Sequence, residues 1–287
     1  MKQLQLFINF AAYFGIVCLF SLAFFFQYRI YRVFDLSLGV SFLIGGYGFW
    51  GAVQAGQPIA ASIVWGVLLA MILGYLLLVL LVRPLTHYQA SALDITLCAL
   101  GTYIVGVNVL AMVFGDQLQR PANLWLSRSI MLGDGFISFA QLFTVVVASM
   151  AYAVTAVAMR CTAYGRIFRA LSDNPSLARD LGLPTGPVTA IATVAGAAFV
   201  GITGILVVID IGIRPTTAFQ FVIPALAVVL AFGGSGVSRL VVGAASVGLA
   251  GELGGFALGQ QWRELSMFTV VGAFLAMRAR FPAMSHG

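Results

Sequence analysis

Residues Arg160 to Pro187 read RCTAYGRIFRALSDNPSLARDLGLPTGP, a polar island in a chain that is otherwise nearly all apolar. It holds Arg160, Arg166, Arg169 and Arg179 together with Asp173, Asn174 and Asp180. These groups form ion pairs and hydrogen bonds, and none is arranged as a nucleophile beside a base. The chemistry on offer is recognition of another protein. Glu252 is the one acid well inside an apolar stretch, where a carboxylate needs an arginine, a proton or water. Asp35 and Asp94 open apolar stretches and suit helix N-termini. Asp210 closes one, four residues before Arg214. Asn108, inside a stretch, needs a hydrogen-bond partner. No His/Asp, Ser/His or paired-carboxylate cluster falls at membrane depth, so enzymatic chemistry is not expected. His87 and His286 have no second ligand nearby, and Cys18, Cys98 and Cys161 are far apart without a CxxC pair, so no metal site is expected. The chain lacks G-x-x-x-x-G-K-[ST], and the glycine run Gly233–Gly236 before Arg239 has no lysine. No nucleotide or other cofactor is expected on this chain.

The elements that position these residues follow from composition. Hydrophobic residues make up 61% of the 287 and charged residues 8%, against roughly 25% charged in a soluble domain. So few charges cannot cover a soluble surface, and the pattern of an outer-membrane barrel is absent. An all-α, polytopic bundle of transmembrane helices is expected, as one transmembrane domain over 1–287. The net charge of +6 comes from arginines spread among the connections, which argues against nucleic acid as a partner. A span needs about 20 residues. The candidates are Leu4–Phe26, Leu36–Val53, Ile59–Val82, Ile95–Phe114, Phe136–Met159, Val188–Ile209, the stretch from Arg214 to Arg239 with Pro224, Leu240–Gly259 and Leu265–Met277: nine, give or take one. The first is read as a retained span, since its apolar part is too long for a signal peptide. GGYGFWG at Gly45–Gly51 and the Pro224 segment predict one or two spans that are either broken or very closely packed.

Placing the 160–187 loop inside puts the N-terminus outside and the C-terminus inside. Inside then carries ten basic residues (Arg29, Arg32, Arg83, Arg160, Arg166, Arg169, Arg179, Arg239, Arg278, Arg280) and outside five (Lys2, Arg120, Arg128, Arg214, Arg263), as the positive-inside bias requires. Within the loop, Pro175 suits the first position of a short helix capped by Asn174 or Asp173, and Gly182 suits the residue past its end. Leu177 and Leu181 share one face of it. An interfacial helix without a partner has the same spacing.

The segment YGRIFRALSDNPSLARDLGLPT resembles the coupling loop of permease subunits from bacterial branched-chain amino acid ABC importers. Their pattern, G-R-x-x-R-A-x-x-x-[DN]-x-x-x-A-x-x-L-G, is met by Gly165, Arg166, Arg169, Ala170, Asn174, Ala178, Leu181 and Gly182, with Asp173 beside them. Further resemblances run along the chain: Tyr31–Tyr47 to an N-F-A-x-G region (Gly39 matches, Asp35 replaces Asn), Arg83-Pro84, Ala99–Gly101 with Asn108, and Ala227–Gly236 with Glu252 downstream. The resemblance implies a subunit of the bacterial cytoplasmic membrane, paired with a second permease or itself. Two ATPase subunits would dock on the loop and handle ATP and its magnesium, and an external binding protein would deliver substrate. It implies Asp35, Gly39, Gly101, Asn108, Gly233, Gly234 and Glu252 as pathway residues. Branched-chain or other small amino acids are the expected substrates. The alternatives are urea or short amides, or an ion-coupled secondary transporter, which would show internal repeats and several mid-span charges.

Overall fold

A computed structural model describes residues 2–121, 129–132, 135–233 and 236–280. Its helices are α1 (Lys2–Tyr31), α2 (Leu38–Gln54), α3 (Ile59–Leu77), α4 (Arg83–His87), α5 (Ala92–Phe114), α6 (Phe139–Cys161), α7 (Ala163–Asp173), α8 (Pro175–Asp180), α9 (Thr185–Asp210), α10 (Thr217–Phe232), α11 (Val237–Leu258) and α12 (Arg263–Arg280). One antiparallel hairpin, β1 (Ser129–Leu132) and β2 (Gly135–Ser138), precedes α6. Gly234 and Arg128, both named in the sequence reading, lie outside the described residues.

Among the described residues, six helical stretches are long and apolar enough to cross a bilayer: Phe10–Tyr31, Ile59–His87, Ala92–Phe114, Phe139–Cys161, Thr185–Asp210 and Val237–Ala257. Thr217–Phe232 and Leu265–Phe274 are apolar but shorter. α2 has 17 residues, about 25 Å at 1.5 Å per residue, just under the hydrocarbon thickness. Six of the nine candidate spans therefore coincide with helices long enough to cross, and the other three fall on the shorter stretches of α2, α10 and α12. The protein is a multi-span helical membrane protein.

α1 and α9 form its centre. The apolar windows of α1 and α9 are 78% and 67% buried within the chain, against 17–22% for α3, α5 and α6 at the periphery. α9 packs on α1, α2 and α3. Small residues make that approach possible. A Cβ on Gly45 would sit 2.7 Å from Gly201 Cα, and one on Gly66 would sit 2.6 Å from the Gly45 carbonyl oxygen. The glycine density of α2 thus serves close backbone packing, and α2 is one uninterrupted helix. α10 also runs unbroken through Pro224. The irregular helix is the third: α3 passes through a π turn at Leu78–Val82 before α4. Pro84 explains it, because its ring excludes a regular turn against the Leu80 carbonyl and the wider turn relieves that clash.

Candidate functional site

The 160–187 loop is two helices fixed to the bundle. α6 ends at Cys161, and Thr162 caps α7, its hydroxyl accepting the Gly165 N–H at 3.1 Å. Gly165 stands where α7 folds back under α6. A Cβ there would lie 2.5 Å from the Ala158 carbonyl oxygen and also against that of Met159. α7 carries apolar residues at Tyr164, Phe168 and Leu171, spaced i, i+4, i+7 on one face. Phe168 and Leu171 are buried. The Phe168 ring meets Phe26 edge-on at 5.6 Å and Phe25 at 6.4 Å. Tyr164 donates its hydroxyl to the Val188 carbonyl of α9 at 3.1 Å. Burial pushes the Tyr164 phenol up to about 12, so it stays a donor throughout the physiological range.

Polar ties complete the anchorage. Arg32 Nη2 donates to the Ser172 carbonyl at 3.0 Å, and Arg29 lies 3.8 Å from the Asp173 carboxylate. Asp173 is 73% exposed, so the ion pair is weak and the hydrogen bond from Arg32 is the firmer link. α8 then turns away from the bundle. Asn174 caps it, Oδ1 accepting the Leu177 N–H at 3.1 Å and the Ser176 hydroxyl at 2.8 Å. Pro175 is its first residue. Gly182, with φ +71°, donates to the Arg179 carbonyl and closes its end. Ala178 is buried beneath it, while Leu177 and Leu181 are 53% and 68% exposed. Arg166, Arg169, Ala170 and Arg179 are exposed as well. The arrangement is a rigid handle: one helix seated on α1 and α9, the next presenting two leucines and several guanidiniums outward.

The residues proposed for a pathway are not brought together. Asp35 sits between α1 and α2, at the end of the bundle that carries α7, and is buried. Its carboxylate accepts from the Ser37 N–H at 3.1 Å, the Ser37 hydroxyl and Gln27 Nε2 at 3.3 Å. Burial holds its titration above the usual carboxylate range, partly offset by the Ser37 hydrogen bonds. Gly39 gives room for the Tyr103 ring of α5, 2.6 Å from where a Cβ would stand. Gly233, just past the C-terminal end of α10, lies against Val229 with Tyr28 nearby. Gly101 and Asn108 are on the exposed face of α5, where Asn108 Nδ2 donates to the Ile104 carbonyl at 2.8 Å.

Glu252 is in a vestibule of about 590 Å³ at the end of the bundle away from α7 and α8, lined by Tyr13, Gln141, Asp210, Gln220, Gln261 and Arg263 among others. Its carboxylate accepts from Arg263 Nη2, and the same guanidinium stands 4.0 Å over the Tyr13 ring. Asp210 makes no ion pair with Arg214 among the described residues. Arg120 reaches over that corner instead, donating from Nε to the Ile211 carbonyl at 3.0 Å. The glutamines and Arg263 of this vestibule carried no motif. Their signal was only that polar residues recur at the outer ends of four separate spans.

Comparison with known proteins bears on this arrangement. The profile of the family described as "Branched-chain amino acid transport system / permease component" matches residues 6–277. Among solved structures, a chain of "PsaBC from Streptococcus pneumoniae in complex with Fab" is similar in fold. Its TM-score is 0.52 at 10% identity, covering 93% of this chain and 89% of that one. No curated protein matches the chain.

Proposed function

This chain belongs to the family of branched-chain amino acid transport system permease components, and from that premise we propose that it is the transmembrane subunit of an ATP-driven importer for branched-chain or other small amino acids. It works with two ATPase subunits on the inner face, a second permease subunit, which is another copy or a relative, and an external substrate-binding protein. ATP and magnesium are used by the ATPases. The membrane is the bacterial cytoplasmic membrane, with the N-terminus outside and the C-terminus inside.

The observation that carries the reading is the handle. α8 projects Leu177 and Leu181 from a segment seated on α1 and α9. Exposed leucines beside Arg166, Arg169 and Arg179 fit a cleft in a soluble partner, with apolar contact for affinity and guanidiniums for register. α7 transmits the partner's motion, because Phe168 and Tyr164 bind it to the two central helices. Gly165, Arg166, Arg169, Ala170, Asp173, Asn174, Ala178, Leu181 and Gly182 are the coupling residues.

Two features support the rest. Asn108 is a polar side chain on the mid-membrane surface of α5, beside exposed Ile104, Val105 and Met112. An amide facing lipid is costly, so this face supports contact with the second permease. The vestibule offers Asp210 and Glu252 for an ammonium group and Arg263 for a carboxylate, the two ends of an amino acid. The experiment is co-purification and uptake. The chain is expressed with the ATPases and binding protein encoded beside it, reconstituted in liposomes, and given labelled leucine with ATP inside. Replacing Arg169 and Asp173 together is expected to release the ATPase and abolish uptake. Full retention of both, or uptake by the purified chain alone, would overturn the assignment.

A further inference from the structure

We propose that the cleft between α1, α6 and α11 binds an anionic phospholipid of the inner leaflet, its headgroup phosphate resting on Arg29, Arg160 and Arg169. α6 and α11 each pack along α1 but make little contact with one another. The cleft left between them holds two cavities. The deeper one, about 130 Å³, is apolar, with Phe14, Cys18, Val145, Ala148 and Val241 in its wall. The other, about 190 Å³, lies at the inner end and is rimmed by the three arginines over Phe25 and Phe168. Tyr152 lines both, so they are consecutive stretches of one groove.

The dimensions fit one leaflet. From Ala148 to Arg160 is twelve residues of α6, about 18 Å along the axis, and half of a hydrocarbon core is about 15 Å. Guanidiniums at the inner boundary with an apolar groove beneath them match a phosphate above an acyl chain. Arginine forks suit phosphate oxygens, and basic pockets between helices on the inner side favour anionic lipids. Asp173, 3.8 Å from Arg29 and largely in solvent, leaves the rim with excess positive charge. Gly236, Val237 and Ser238, at the start of α11, line the opposite side of the rim. A free phosphate would use the arginines alone. The apolar cavity directly under them is what assigns the site to a lipid. Exposed Val146, Met150 and Val154 continue the lipid-facing surface of α6 past the groove.

The test is native mass spectrometry of the delipidated chain, in complex with its ATPases, offered phosphatidylglycerol or phosphatidylcholine with the same acyl chains. One phosphatidylglycerol per chain is expected to be retained in preference to phosphatidylcholine, undisturbed by millimolar inorganic phosphate. Arg160→Gln is expected to lower retention about fivefold, and Arg160→Lys, which keeps the charge, by less. Ser149→Trp fills the apolar cavity from its exposed edge and is expected to expel the lipid with all three arginines intact. Thermal melting of each variant establishes that it folds. Equal retention of phosphatidylcholine would overturn the proposal, as would displacement by phosphate together with unchanged binding in Ser149→Trp. Cross-linking of α6 to a neighbouring permease across this cleft, without lipid, would overturn it too.

Discussion

Asn174→Ala is the sharpest perturbation of the handle. α8 has six residues, far fewer than a helix needs to persist alone in water. Three local features hold it: the Asn174 cap, the left-handed Gly182 at φ +71°, and the burial of Ala178. Alanine at 174 removes both side-chain hydrogen bonds, to the Leu177 N–H and the Ser176 hydroxyl. An N-cap of this type is worth about 1 kcal/mol, which multiplies the frayed fraction of α8 by roughly five. Hydrogen exchange of the complex in nanodiscs reads this directly. The amides of Leu177, Ala178 and Leu181 are expected to exchange about fivefold faster, with those of α1 and α9 unchanged. ATPase stimulation by substrate-loaded binding protein is expected to fall by a smaller factor, bounded by about five, and Asn174→Asp or Asn174→Ser to restore both. Unaltered protection in Asn174→Ala, or serine behaving like alanine, would refute the idea that the cap holds the docking helix.

Gly165→Ala places a methyl against the carbonyls of Ala158 and Met159; being backbone, these cannot yield cheaply, so a loss of about 1–3 kcal/mol in thermal melting and weakened ATPase coupling are expected. Glu252→Ala leaves the Arg263 guanidinium without its carboxylate and is expected to destabilise by about 2 kcal/mol, with Glu252→Gln losing less because an acceptor remains; equal melting of the two would contradict the pairing. Asp35 has its folded titration raised by burial, so the sign is set: its contribution is fully present below the unfolded carboxylate value and is lost as pH rises through the raised folded value. Asp35→Asn keeps an acceptor for Ser37 and removes that dependence, so its melting temperature is expected to fall less than wild type between pH 4 and neutrality (on the order of the titration range itself). A wild-type profile as flat as that of Asp35→Asn would sink this reading.

What the sequence made legible was local. Asn174, Pro175 and Gly182 announce a helix start and stop within eight positions, and α8 lies between them because capping and left-handed turns need only neighbouring residues. The six long apolar helices were legible for a similar reason: bilayer thickness translates directly into run length. The glycines of α2 were ambiguous, since the same run serves a break or a close approach, and the partner that decides it, Gly201 of α9, is some 150 residues distant (order of magnitude from the chain positions). The seat of α7 was written in Tyr164, Phe168 and Leu171 at helical spacing, yet their acceptor surface, Phe25 and Phe26, belongs to the far end of the chain. Glu252 called for an arginine, but which one depended on the turn at Gly259, where φ is +105° and the chain doubles back to bring Arg263 alongside. The irregular turn before Pro84 was not read from the sequence, where Pro84 falls just past the third candidate span; its π form follows from the carbonyl that the proline ring displaces.

The central claim is that α7 and α8 form an inner-face lever gripped by an ATPase. A single cysteine at Leu177, with Cys18, Cys98 and Cys161 replaced, tests it in sealed vesicles of known orientation. The account predicts a covalent adduct with the ATPase through a short bismaleimide, its yield changing between nucleotide-free and ATP-bound states, and no reaction with an impermeant maleimide added outside. Labelling from the outside, with no adduct in any nucleotide state, would contradict it.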